Sequence, residues 1–229
     1  IQELEKRGHT YTTSDGVYFD VSTWKEYGKL GQIDLSGLEA GKRVQHSLEK
    51  HTDYDFALWK FSPQDGTKRQ QEWDSPWGIG FPGWHIECSA MSMHILGETF
   101  DIHTGGIDHI PVHHNNEIAQ SESVTGKPLA HIWMHGAFLN WKDKKMSKSD
   151  GSFITLTDLE KEGISPLGFR YFLLQSKYRQ PVFFDMEALK ASETAYRRMQ
   201  EHLLVLREKL VQVHNQDNEI QLNLLTQHF

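Results

Sequence analysis

Apolar and polar positions change rhythm several times along the chain. Ile1, Leu4 and Glu5 read as the end of a short helix that stops at a turn at Gly8. Alternation then takes over between about Tyr11 and Val21, where Val17, Phe19 and Val21 share a face beyond the turn signal Ser14-Asp15-Gly16. A period of two predicts an extended pair whose second strand is half-buried. From Tyr27 to about Lys60 the text is polar and mixed, with a weakly helical segment near Leu38 to Val44 and the aromatic-apolar string DFALWK (Asp55 to Lys60) at its end. This pattern predicts an insertion with its own small core. The Pro-, Gly- and Trp-rich stretch 62–83 predicts an ordered loop.

The next segments alternate. Trp84 to Leu96 predicts a helix, Phe100 to His103 a strand, His113 to Ser123 a helix and Ile132 to Asn140 a strand. Helices interleaved with short buried strands predict an α/β layer with a parallel sheet. Beyond Phe153 the pattern is helical: Pro166 to Ser176 with Phe169, Phe172 and Leu173 on one face, a long amphipathic helix from Met186 to Val213, and the start of another from Asn215 to Phe229.

Composition narrows the class. With 38% hydrophobic and 11% aromatic residues the chain is globular and not a disordered tail. No run approaches the roughly 20 apolar residues of a membrane span, and the opening IQELEKRGHT lacks a signal-peptide layout, so no membrane partner and a cytoplasmic location are expected. The one cysteine, Cys88, excludes an internal disulfide and leaves a thiol or a metal ligand. A net charge of −7, from 24 basic and 31 acidic residues, argues against coating nucleic acid by bulk charge, so any RNA contact must use local basic patches. The chain opens without Met, within what reads as a helix, and a preceding segment is expected.

Three constellations could carry chemistry. In KDKKMSKSDGSF, Lys142, Lys144, Lys145 and Lys148 are interleaved with Ser147 and Ser149 and followed by Gly151. Such a loop can follow a polyphosphate as its charge moves, although a lysine run is more often a solvated face. His113 and Glu117, four apart, would share a helix face, with Cys88 the only thiol available to join them. Thiolate, imidazole and carboxylate form a zinc-type set, yet three ligands do not close a tetrahedral site and histidines are abundant in this chain. Gly105, Gly106 and Asp108 are by themselves only a turn.

These segments together resemble cysteinyl-tRNA synthetase, a class I aminoacyl-tRNA synthetase. KMSKS (Lys145 to Ser149) is the class signature loop. GWHIECSAM (Gly83 to Met91), DIHTGGIDHIPVHHNNEIAQSE (Asp101 to Glu122), DGVYFDV (Asp15 to Val21), YGKL (Tyr27 to Leu30), DFALWK, WMHGAFL (Trp133 to Leu139) and YRQPVFF (Tyr178 to Phe184) follow the family pattern over nearly the whole chain. The resemblance implies a Rossmann-like parallel-sheet catalytic half-domain over 76–155, a connective-peptide insertion over 1–75, a stem-contact region over 156–190 and the start of a helical bundle over 191–229. It implies a ligase that activates cysteine with ATP and magnesium and transfers it to tRNA(Cys). One zinc ion per subunit would be held by Cys88, His113 and Glu117, and would bind the substrate thiolate and so refuse serine.

By the same resemblance Lys148, assisted by Lys145, would steady the ATP phosphates. Trp84 would line the amino-acid pocket, and Gly105, Gly106 and Asp108 would receive the nucleotide. His103 and His109 would line the pocket near the substrate, with core packing an equal alternative. The fourth zinc ligand, a cysteine, and the HIGH motif belong to a segment before Ile1. Phe81, Asp150 and Ser152 depart from the family pattern. The branch that joins cysteine to an amino sugar lacks the NEIAQSE continuation that Asn116 to Glu122 keep. A non-catalytic RNA-binding paralogue would fit a natural start near Ile1, and a zinc hydrolase lacks support because no HExxH arrangement is present.

Overall fold

A computed structural model of the protein describes residues 1–32, 49–63, 65, 67, 69–141, 144–145 and 154–214. The expected helices near Leu38 to Val44 and over 215–229, and most of the signature loop including Lys148, Asp150 and Ser152, lie outside the described residues. The chain divides into two units, Ile1–Gly136 and Ala137–Phe229.

The first unit opens with helix α1 (Gln2–Lys6), followed by strands β1 (Thr10–Thr13), β2 (Gly16–Phe19), β3 (Phe56–Phe61) and β4 (Gly80–Pro82). They form an antiparallel sheet in the order β1-β2-β3-β4. The half-buried strand expected around Val17 is instead buried on both faces. Val17 and Phe19 are fully enclosed, and Tyr18 on the opposite face lies under the rings and cations of Tyr11, Lys50 and Lys60. Position in the sheet explains this, since β2 lies between two neighbours whose side chains cover it.

Nor does the 27–60 stretch keep a core to itself. Leu4, Phe19, Val21, Tyr27, Phe56 and Leu58 pack into one cluster with Ala119, and Ile86 and Val124 lean on it. The sheet and the α/β layer therefore share their apolar interior.

That layer consists of helix α2 (Trp84–Leu96), β5 (Phe100–Gly106), helix α3 (Asn115–Thr125) and β6 (Ala130–Gly136). β5 and β6 pair in parallel, with His103 opposite Trp133. Gly83 starts α2 where its amide donates to Leu58 O at 2.9 Å, and a Cβ there would lie 1.9 Å from Ala57 O, so only glycine fits the junction. Ile102, Ile132, Met91, Ile95 and Leu96 leave an apolar surface exposed on β5, β6 and α2.

The strand expected from Ile132 to Asn140 is two strands. β6 ends at Gly136, and β7 (Leu139–Trp141) belongs to the second unit, where it pairs antiparallel with β8 (Lys144–Lys145) and parallel with β9 (Val182–Phe184). Helices α4 (Leu156–Lys161), α5 (Pro166–Leu174) and α6 (Met186–His214) complete this unit. Thr155 and Asp158 form a capping box at α4, and Ser165 caps α5 ahead of Pro166. Leu159, Ile164, Phe184 and Leu189 make its core, with Phe169 and Phe172 against them. Leu173, expected on that face, is exposed. No described helix is long and apolar enough to cross a membrane.

Candidate metal and amino-acid site

The helix expected from His113 begins earlier and irregularly. Ile110–His114 form a π-helical turn containing Pro111, which runs directly into α3. Such a turn holds an extra residue, and here it directs both His113 and His114 into the interior. Helix α3 is tied to α2 by Gln120, whose amide donates to His85 O and to Ser89 Oγ, each at 2.6 Å. This buried polar link holds the two helices in the register that brings Cys88 to His113 and Glu117.

The ligand atoms of Cys88, His113 and Glu117 all lie within 4.8 Å of one another. Glu117 is fully buried. Its Oε2 accepts a hydrogen bond from His103 Nε2 at 2.9 Å. Its Oε1 sits 2.9 Å from His113 Nε2 but forms no hydrogen bond. Burial opposes the charge on Glu117, but His103 and His113 outweigh it and hold the carboxyl at about 2. Burial, then the carboxylates of Glu117 and Glu87, push the Cys88 thiol up. A divalent cation reverses that preference by binding the thiolate.

An orphaned carboxylate oxygen inside a protein is rare and costly, and here it stands beside the His113 imidazole on a residue grouped with the Cys88 thiol. The donor set fits zinc, which takes Cys, His and carboxylate ligands.

Around these three lies a shell of rings in which the sequence reading singled out only some members. His85 and His113 meet through their Nδ1 atoms at 2.7 Å, and His114 Nδ1 meets His135 Nε2 at 2.8 Å. Burial lowers His85 to about 4 and His114 to about 3, so both are neutral near pH 7. Trp84 is 59% exposed, with its ring 4.4 Å from that of His113 and stacked on His85. His103 packs against Phe100, His114 and Trp133. His109 lies 5.0 Å from His113 and 5.2 Å from His114.

Gly105, next to last in β5, lies against these rings, and a Cβ there would meet His114 Cε1 at 2.5 Å and His109 Nδ1 at 2.7 Å. Its missing side chain thus makes room for histidines. Asp108 is exposed in a short 3-10 turn, with Oδ1 close over Gly106. Lys145 stands in β8, paired with Asn140. His85, His114, His135 and Trp133 are the residues the sequence reading left without a role. Their signal in the sequence was that they fall inside the segments GWHIECSAM, DIHTGGIDHIPVHHNNEIAQSE and WMHGAFL.

A family model described as tRNA synthetases class I (C) catalytic domain matches residues 1–194. The chain belongs to this family. Among curated relatives, cysteine–tRNA ligase 1 of Burkholderia lata is 53% identical over 206 residues, covering 90% of this chain and 43% of that protein. Cysteine–tRNA ligase of Treponema denticola is 49% identical over 193 residues, 84% of this chain and 39% of that protein. That of Legionella pneumophila is 48% identical over 200 residues, 87% and 43% respectively. The chain therefore spans less than half the length of these relatives. Phe81 receives the Arg69 guanidinium over its ring at 3.8 Å.

Proposed function

We propose that this chain is part of a cysteine–tRNA ligase that activates cysteine with ATP and magnesium and passes the cysteinyl group to tRNA(Cys) in the cytoplasm. The observation that carries the reading is the convergence of Cys88, His113 and Glu117 around a buried carboxylate oxygen that has no hydrogen bond. These three residues hold one zinc ion, with a further cysteine ligand contributed from outside this chain. Bound there, the ion supplies a soft Lewis acid that takes the substrate thiol as its thiolate and gives serine no comparable ligand.

The chain's own groups do the rest. Trp84, exposed and lying over His113, closes over the small substrate. Gly105, Gly106 and Asp108 at the end of β5 receive the adenosine, as the end of a parallel strand commonly does. Lys145 and Lys148 neutralise the triphosphate as the substrate carboxylate attacks the α-phosphate, a step that needs positioning and charge stabilisation and no protein nucleophile. Residues 1–75 act as the connective peptide, 76–155 as the second catalytic half, 156–190 as the stem-contact region and 191–229 as the start of the helical bundle. The exposed apolar surface on α2, β5 and β6 is where the remainder of the catalytic layer packs.

The test is cysteine-dependent ATP–pyrophosphate exchange by the protein extended to the length of its relatives. Exchange with cysteine but not serine, abolished in His113→Ala together with bound zinc, supports the reading. Equal exchange with serine, or full exchange by His113→Ala, overturns it.

A further inference from the structure

His103 faces Glu117 and not an open pocket. Its side chain is only 18% exposed, and its ring is fixed between Phe100, His114 and Trp133. β5 sets that position, since its parallel register with β6 places His103 opposite Trp133. The two oxygens of Glu117 are then treated differently. His103 Nε2 makes an aligned hydrogen bond to Oε2 at 2.9 Å. His113 Nε2 stands at the same distance from Oε1, yet that oxygen has no hydrogen bond.

A carboxylate is symmetric, so something must decide which oxygen is offered to a cation. A donor held on one oxygen by a packed ring does so: the occupied oxygen is fixed, and the other is turned to the His113 imidazole. Groups that orient metal ligands in this way set affinity almost as strongly as the ligands do.

We propose that His103 is a positioning residue that acts through Glu117, holding Oε2 so that Oε1 is presented beside His113 as a single-oxygen metal ligand. This rests on the metal reading of Cys88, His113 and Glu117 and goes beyond it, because it takes His103 away from the substrate and ties it to one ligand. His103 also belongs to a second group with His114 and Glu117 whose ligand atoms lie close together. The aligned hydrogen bond to Oε2 favours donation over ligation.

The test uses Co2+ as the probe on the protein extended to the length of its relatives, reading the thiolate charge-transfer band for the bond to Cys88 and the d–d bands for coordination geometry. His103→Leu removes the donor. His103→Gln keeps an N–H at the reach of Nε2, and His103→Asn does not. The expected result is that Leu and Asn weaken Co2+ binding about 10- to 100-fold with unchanged far-ultraviolet dichroism, and that Gln restores most of it with wild-type d–d bands. In a Glu117→Gln background, His103→Leu should cause no further loss.

If wild type and His103→Leu bind Co2+ equally, or if the two substitutions are additive, the positioning role is wrong while the metal site stands. A changed d–d spectrum in His103→Gln would make His103 a direct ligand and likewise overturn it. If the wild-type protein of that length shows no Cys88-dependent band at all, the metal reading itself fails and takes this inference with it.

Discussion

At the scale of single residues, Glu117 organises the site. It is a buried anion at the meeting of β5, the π-helical turn and α3, and its two oxygens face different histidines. The spacing of His113 and Glu117, one helical turn apart, with a single thiol in the chain, leaves a metal site as one option, and it is the resemblance that singles out the three residues the fold brings together. The partners His103 and His85 were not legible in that spacing, because their approach depends on β5 and α2 packing against α3, which spacing does not encode.

The buried imidazoles carry a pH prediction for the metal-free chain. An unfolded histidine takes up its proton near about 6.5, whereas burial delays protonation of folded His85 to about 4 and of His114 to about 3. Between those values the unfolded state binds more protons, so stability is fully present above the unfolded pKa and lost as pH falls through this window. Glu117, lowered from 4.5 to about 2, acts in the same direction further down. The urea midpoint of the metal-free chain should therefore fall steadily as pH is lowered from near neutral towards about 4. A midpoint that stays flat over that range would contradict the neutral, buried assignment.

At the scale of elements, punctuation decided what could be read. α2 was legible to the residue because Gly83 and Gly97 bracket an apolar run. The pattern predicts a strand ending at His103, since Gly105-Gly106 resembles a turn, but parallel pairing carries β5 to Gly106 opposite Gly136. The continuous apolar text from Ile132 to Asn140 concealed a change of partner, from β5 to β9.

In the second unit one carboxylate joins two helices. Glu193 of α6, buried, accepts from Ser165 N at 3.0 Å and Ser165 Oγ at 2.8 Å, and pairs with Arg197 at 2.7 Å. Ser165 in turn caps α5 through Gly168 N. Hydrogen bonds to a charged group contribute more than neutral ones, and Glu193→Ala should cost about 2–3 kcal/mol. Chemical denaturation followed by helical dichroism measures this, and a loss below about 0.5 kcal/mol, the scale of a surface substitution, would show that the clasp contributes little.

At the scale of the whole molecule, the antiparallel sheet and the α/β layer share a core, while α2, β5 and β6 keep an apolar surface open to solvent. Exposed apolar side chains gathered on neighbouring elements, such as Ile102 opposite Ile132, fit a site of interaction. The chain by itself should enhance the fluorescence of an apolar dye such as anilinonaphthalene sulfonate in its folded state, and the protein extended to its relatives' length should not. Equal dye binding by both would mean that this surface is not where the extension packs. The shared core could not be read from the sequence, because Tyr27 and Phe56 are separated from Ala119 by long stretches of chain and only tertiary packing joins them.

The most direct test is the zinc content, after exhaustive dialysis, of the protein extended to the length of its relatives, compared with Cys88→Ser and His113→Ala made in that protein. The account predicts about one zinc per wild-type chain, the occupancy of a single ligand set of this type, and its loss in both variants with the fold intact by dichroism. Zinc retained by both variants, or absent from the folded wild-type protein of that length supplied with excess metal, would contradict it.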